Sequence, residues 1–206
     1  AGPDFRQQML RENVKHLDAI LITHQHKDHI GGLDDVRSFN FLQNTSMPIY
    51  ASTEAQEEIR REYSYAFVEK DKLYPGAPTY SIRDINEDTP IVINDLTITP
   101  ILMHHYNLIS YGFRIGNFAY LTDLSDLPDS SFKKLNGVEF LVLEALGVKK
   151  HYSHLCLSEA IDLANRLQVK KAWFTHTGHS IGKAEIVNKT LPENMMLAYD
   201  GLQIEL

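Results

Sequence analysis

The run Thr23-His24-Gln25-His26-Lys27-Asp28-His29 places four metal-capable side chains within six residues. In an extended chain, side chains two apart point the same way. His24, His26 and Asp28 can therefore converge, and His29 can join them once the chain turns. Imidazole with carboxylate suits zinc, manganese or iron better than calcium. A catalytic ion keeps one position open, so this many donors exceeds the need of a single ion and points to two. The blander reading is a solvated polar loop. The position of the run, directly after an apolar segment and before Gly31-Gly32, argues against that.

The elements that must position these groups can be read from pattern. Leu17 to Thr23 is short and rich in branched residues, which predicts a buried strand ending at the histidines. Thr53 with Gln56 forms a capping-box pattern for a helix running through Arg60. Tyr63 to Asn86 holds Pro75, Gly76 and Pro78 among aromatics and reads as an irregular insertion or lid. Residues 91–102 alternate as a hairpin turning near Asn94-Asp95, and Tyr111 to Leu121 as a second pair turning at Gly116-Asn117. Val138 to Leu143 is a continuous apolar strand. Ser158 can cap a helix with Ala160, Ile161, Ala164 and Leu167 on one face. A strand at Lys171–Thr175, a helix near Ala184–Lys189 and a strand from Met195 follow. Strands first, then strand–helix alternation, predict sheets sandwiched by helices in an α/β domain.

Composition sets the outer bounds. A chain of 206 residues with 43% hydrophobic and 23% charged residues is the size and make-up of one globular domain, 1–206. Its net charge of −7 is a poor match for a polynucleotide backbone, which needs clustered basic surface. It leaves room for a small anionic substrate, because metal ions supply local positive charge. The expected partner is thus a small anionic molecule rather than nucleic acid or membrane, and a homodimer is allowed. The single cysteine, Cys156, cannot close an internal disulfide, which fits a reducing cytoplasm. It reads as small core filling.

Beyond these readings, the sequence resembles the metallo-β-lactamase superfamily. Thr23-His24-x-His26-x-Asp28-His29 matches that superfamily's hallmark. Ile30-Gly31-Gly32-Leu33-Asp34-Asp35-Val36-Arg37 is similar to its PhnP-like branch, the branch of phosphoribosyl cyclic phosphate phosphodiesterases. Gly2-Pro3-Asp4-Phe5-Arg6-Gln7-Gln8, a histidine ahead of Tyr111-Gly112-Phe113, and Tyr120-Leu121-Thr122-Asp123 follow the same order. So do His154 before a helix, Thr175-His176-Thr177-Gly178-His179, and Ala198-Tyr199-Asp200-Gly201.

The resemblance implies an αβ/βα four-layer sandwich whose N-terminal strands are missing, and two divalent ions, zinc or manganese. It implies His24, His26 and His104 on one ion, with His105 the close alternative to His104. Asp28, His29 and His176 would hold the other, and Asp123 would bridge. Catalysis would rest on Asp28 and on His154, a non-ligand placed to contact the phosphate or protonate the leaving oxygen. Hydroxide formed on the ions would attack phosphorus. His179 would line the pocket or orient His176, whereas His16 and His151 read as surface residues. Lys27 stands where relatives carry a small residue, adding a cation near the site. Other chemistries of the superfamily, a tRNA 3′-end nuclease or a thioester hydrolase, stay open. So does a non-catalytic metal-binding module.

Overall fold

The computed structural model describes residues 1–205 and resolves into two compact units, Ala1–Asn86 and a second beginning at Glu87. Both mix strands and helices.

The first unit is built on three parallel strands in the order β1 (Ile20–Leu21), β2 (Met47–Ala51) and β3 (Tyr80–Asp84). Helices α1 (Phe5–Arg11), α2 (Lys27–Ile30), α3 (Arg37–Gln43) and α4 (Thr53–Glu62) accompany them. Ile22, Ile30, Leu33, Val36, Met47, Ile49, Ala55 and Ile59 form its dry core. The strand expected over 17–23 is shorter than its composition suggests. The Gln43 side chain holds both backbone groups of Leu17, at 2.8 and 2.9 Å, in place of a strand partner. The Ile22 amide still donates to the Tyr50 carbonyl, so the chain leaves the sheet just before the histidines.

Two further expectations are corrected here. Ser52, not Thr53, caps α4, its hydroxyl accepting from the Ala55 amide at 3.3 Å, while Gln56 reaches back to the Ala51 carbonyl and Asp84. The end of the supposed irregular insertion is the strand β3, because Asn40 clamps both backbone groups of Thr79 at 3.0 Å and feeds the chain onto β2. Gly32 is required by close approach. A Cβ there would sit 2.1 Å from the Gly2 carbonyl oxygen and 2.5 Å from Phe5 Cβ.

The second unit is a seven-stranded sheet in the order β10-β9-β8-β7-β6-β5-β4. Strands β4 (Ile91–Ile93), β5 (Leu96–His105), β6 (Leu108–Ile115) and β7 (Phe118–Leu121) run antiparallel. Their turns pass through Asn94 and Gly116, both at positive φ, as the sequence predicts. From β7 onward the pairing is parallel, through β8 (Phe140–Glu144), β9 (Lys171–Thr175) and β10 (Met195–Leu197). Helices α5 (Asp129–Lys134), α6 (Leu157–Arg166) and α7 (Ala184–Val187) make the crossovers. Leu121, Leu143, Phe174 and Ala160 belong to one apolar core.

Cys156, rather than Ser158, caps α6, in a reciprocal box with Glu159. The Cys156 amide and then thiol, with help from Lys150, hold the Glu159 carboxyl below its usual range. No helix among the described residues is long and apolar enough to cross a membrane.

Gly112 explains the central residue of Tyr111-Gly112-Phe113. A Cβ on it would meet Leu121 Cδ2 at 2.4 Å and the Tyr120 carbonyl oxygen at 2.9 Å. Backbone cannot yield as a side chain can. G112A is therefore expected to lower stability by about 1–3 kcal/mol, the usual penalty of overpacking, read as a shift of the urea midpoint. An unchanged midpoint would show that β6 and β7 have slack at this point.

Candidate metal centre

In the second unit, chemistry gathers where the parallel strands end. Register sets Leu121 beside Leu143, and Glu144 beside Thr175, so the chain leaves three neighbouring strands on one rim. Asp123, Glu144 and His176 stand there, and His154 joins them from the loop before α6. One ligand atom from each of the four lies within 4.8 Å of the others. Carboxyl ends of parallel strands are the usual place for a site in such sheets.

The carboxylates in this group are almost dry, with Asp123 2% and Glu144 0% exposed. Imidazoles face both. His154 Nδ1 lies 2.7 Å from Glu144 Oε2 and 3.8 Å from Asp123 Oδ1. His176 Nε2 lies 3.5 Å from Asp123 Oδ1, and its Nδ1 is 3.8 Å from Glu144 Oε2. Thr122 and Ser110 donate hydroxyl hydrogen bonds to the Asp123 carboxylate and carbonyl at 2.8 and 2.6 Å. Asp123 and His176 both adopt left-handed backbone, at φ 61° and 54°. Such conformations cost of order 1–3 kcal/mol for residues with a Cβ and collect at functional sites.

Strand alternation separates the two histidines at the end of β5. His104 turns outward to Asp126, with Nδ1 3.2 Å from Oδ2 and a half-exposed side chain. His105 is 3% exposed, packs its ring 4.7 Å from that of His154, and points Nδ1 at the Ser153 carbonyl from 2.8 Å. That contact makes Nε2 the lone-pair nitrogen. Successive strand side chains face opposite sides, so of the two candidates His105 lies inward beside His154 and His104 lies against Asp126.

In the first unit the histidine run closes on itself. His24 is fully buried, with Nε2 2.8 Å from His26 Nδ1. Thr23 Oγ1 lies 3.2 Å from His24 Nδ1 and 3.1 Å from His29 Nδ1. His26 is still extended and caps α2, so the chain turns after it and brings His29 back to a ring distance of 4.2 Å from His24. Asp28 contacts His29 at 3.3 Å. Lys27 leans on both carboxylate oxygens of Glu62 at 2.8 Å, so its charge is offset by a neighbour. Of the remaining histidines, His16 pairs with Asp18, while His151 and His179 are exposed.

These donor sets fit divalent cations. Two imidazole nitrogens at 2.8 Å, and two buried carboxylates faced by imidazoles, are groups that a bound cation satisfies together. The donors are nitrogen and oxygen, with the one cysteine occupied in the cap of α6. That is the chemistry of an open catalytic site rather than a closed, cysteine-rich structural one.

Comparison with known proteins agrees with this geometry. The profile of the beta-lactamase superfamily domain matches residues 1–177. An octanoyltransferase from Porphyromonas gingivalis is 33% identical over 203 residues, which span 98% of this chain and 40% of that protein. A ribonuclease Z from Macrococcus caseolyticus is 26% identical over 196 residues, 93% of this chain and 58% of that one. The chain thus spans about half the length of these curated relatives. A crystal structure described as a new diphosphatase from the PhnP family superposes with a TM-score of 0.90 at 34% identity. It covers all of this chain and 78% of its own.

Glu144 is the member of this cluster that sequence reasoning missed. The available signal was a lone carboxylate closing the apolar run Phe140-Leu141-Val142-Leu143, where only a partnered acid can be buried. Its Oε1 accepts from the Leu124 amide at 2.6 Å and the Leu155 amide at 3.3 Å, while Oε2 holds His154. E144A strands those donors and is expected to destabilise the protein by about 1–3 kcal/mol in a urea titration. E144Q keeps an acceptor and loses less. Equal midpoints for the alanine variant and the parent would show that the carboxylate is not the acceptor these amides depend on.

Proposed function

The chain belongs to the metallo-β-lactamase superfamily, in its PhnP-like branch, and we propose that it is a metal-dependent hydrolase of a small, cyclic phosphodiester. The observation that carries this reading is the buried Glu144–His154 pair set against Asp123 and His176. The names of its relatives add support, since diphosphatase and ribonuclease both denote cleavage at phosphorus.

By the family pattern, His24, His26, Asp28 and His29 of the first unit, and His105, Asp123 and His176 of the second, would serve as metal ligands. The ions would be zinc or manganese. Paired divalent ions lower the pKa of coordinated water to about 7 and offset charge on phosphoryl oxygens.

The protein's own side chains supply the rest. Glu144 accepts a hydrogen bond from His154 Nδ1–H and stabilises the imidazolium, as the carboxylate of a catalytic triad does for its histidine. Nε2 then carries the proton that passes to the departing alkoxide. A positioned acid of this kind contributes typically 10²–10⁴-fold in rate. Thr122 and Ser110 hold Asp123 by its carboxylate and its carbonyl. Asp28, the more exposed acid, lies against His29 and orients it.

A second reading is hydrolysis of a thioester. It is favoured by the likeness to the octanoyltransferase, since the same centre could act at an acyl carbon. Turnover of bis(p-nitrophenyl) phosphate against an octanoyl thioester separates the two reactions.

The metal-loaded chain should contain two ions by elemental analysis and hydrolyse the phosphodiester. One ion without turnover would instead indicate a binding module. H105A should lose metal while H104A retains it; the reverse pattern would restore His104 as the ligand. H154A should keep both ions and lose about 10²–10⁴-fold in turnover. Parental rates in that variant would remove His154 from the mechanism.

A further inference from the structure

Outside the metal-ligand set, the second unit carries a run of rings that leads from solvent to His154. Tyr152 is 71% and Tyr106 60% exposed, among the most exposed large apolar side chains of the protein. They are nevertheless ordered against each other, edge to face with centroids 5.2 Å apart. His151 stacks on Tyr152 at 4.4 Å and reaches the His154 ring at 5.2 Å. His154 in turn stacks on His176 at 5.1 Å.

The backbone beneath these rings is held in place. Tyr106 sits at φ 56°, an outlier for a bulky residue, and its amide donates to Ser125 Oγ at 2.9 Å. Ser153 presents its amide and hydroxyl to His151 Nδ1 at 3.3 and 3.2 Å. The loop closes at its base, where the Leu146 amide meets the Leu155 carbonyl and the Leu157 amide meets the Gly147 carbonyl. The same loop carries exposed Lys149 and Lys150 just before His151.

Exposed rings fixed at this cost need an occupant. Aromatic faces interleaved with cations suit a planar base joined to phosphate. Tyr152 stands two ring steps from His154, of the order that one ribose sets between its base and its phosphate. The net charge of −7 favours one nucleotide over a polymer.

We infer that Tyr152 and Tyr106, with His151, form a stacking platform that takes the planar base of a nucleoside whose phosphate lies at His154. The inference rests on the phosphodiesterase reading for the position of the phosphate, and it names the group that the substrate carries beyond it.

Isothermal titration of the metal-loaded full chain with AMP and with ribose 5-phosphate tests it directly. AMP should bind about tenfold more tightly, the scale of one base–aromatic stack. Y152A should erase that preference and Y152F should keep it, since the ring and not the hydroxyl does the stacking. Equal affinity for the two ligands in the parent, or a preference that survives Y152A, would overturn the platform. A ten-nucleotide RNA binding far above AMP, with steep salt dependence, would overturn the single-nucleotide assignment in favour of a polymer. An AMP preference that depends on Tyr152 in a protein that turns over no phosphodiester would support the platform and sink only the reaction assigned above.

Discussion

A carboxylate withdrawn from water is tolerated only when hydrogen bonds and opposite charge replace its hydration, and Glu144 sets the terms for the rim on which the chemistry sits. Its two oxygens divide the work. One gathers amides from the segments that follow β7 and precede α6, and the other fixes an imidazole. The acid thereby links two connections that sequence separates by some thirty residues. Without it, His154 has no fixed tautomer and Leu124 no acceptor. The placing of His154 and the local fold both rest on a single side chain.

Around that anchor, the strand ends hold strain. Asp123 and His176 both take up left-handed backbone immediately beyond parallel strands. Register carried on past the strand ends would pair Asp123 with Ala145 and Ala145 with His176, which keeps the two on one face of the sheet. The left-handed backbone takes the chain off the sheet at these points, and the apolar strands behind, among them Leu121, Leu143 and Phe174, form the close-packed support for it.

Much of this was legible beforehand. The histidine run, Asp123, His154 and His176 were each marked by residue type and by order along the chain, and the hairpin turns by Asn94 and Gly116 at positions that need positive φ. What escaped has physical causes. His104 and His105 are adjacent, and only the register of β5 decides which faces inward. Glu144 lay one residue past the strand read over 138–143 and drew no notice, because burial of an acid depends on partners distant in sequence. Ser52 and Cys156 displaced the expected caps by one and two residues, a shift that hydrogen-bond geometry sets and composition does not. Strand β3 was hidden inside a proline- and glycine-rich stretch because Asn40, a side chain forty residues away, supplies its alignment.

The carbonyl of Ser153 ties these themes together. It accepts from His105, while the amide and hydroxyl of the same residue aim His151. One short serine thus couples the orientation of His105 to that of the outermost rings. Grafting a foreign loop between β8 and α6 to change selectivity would therefore detune the centre as well. The inner histidine and the outer rings would have to be redesigned as a pair.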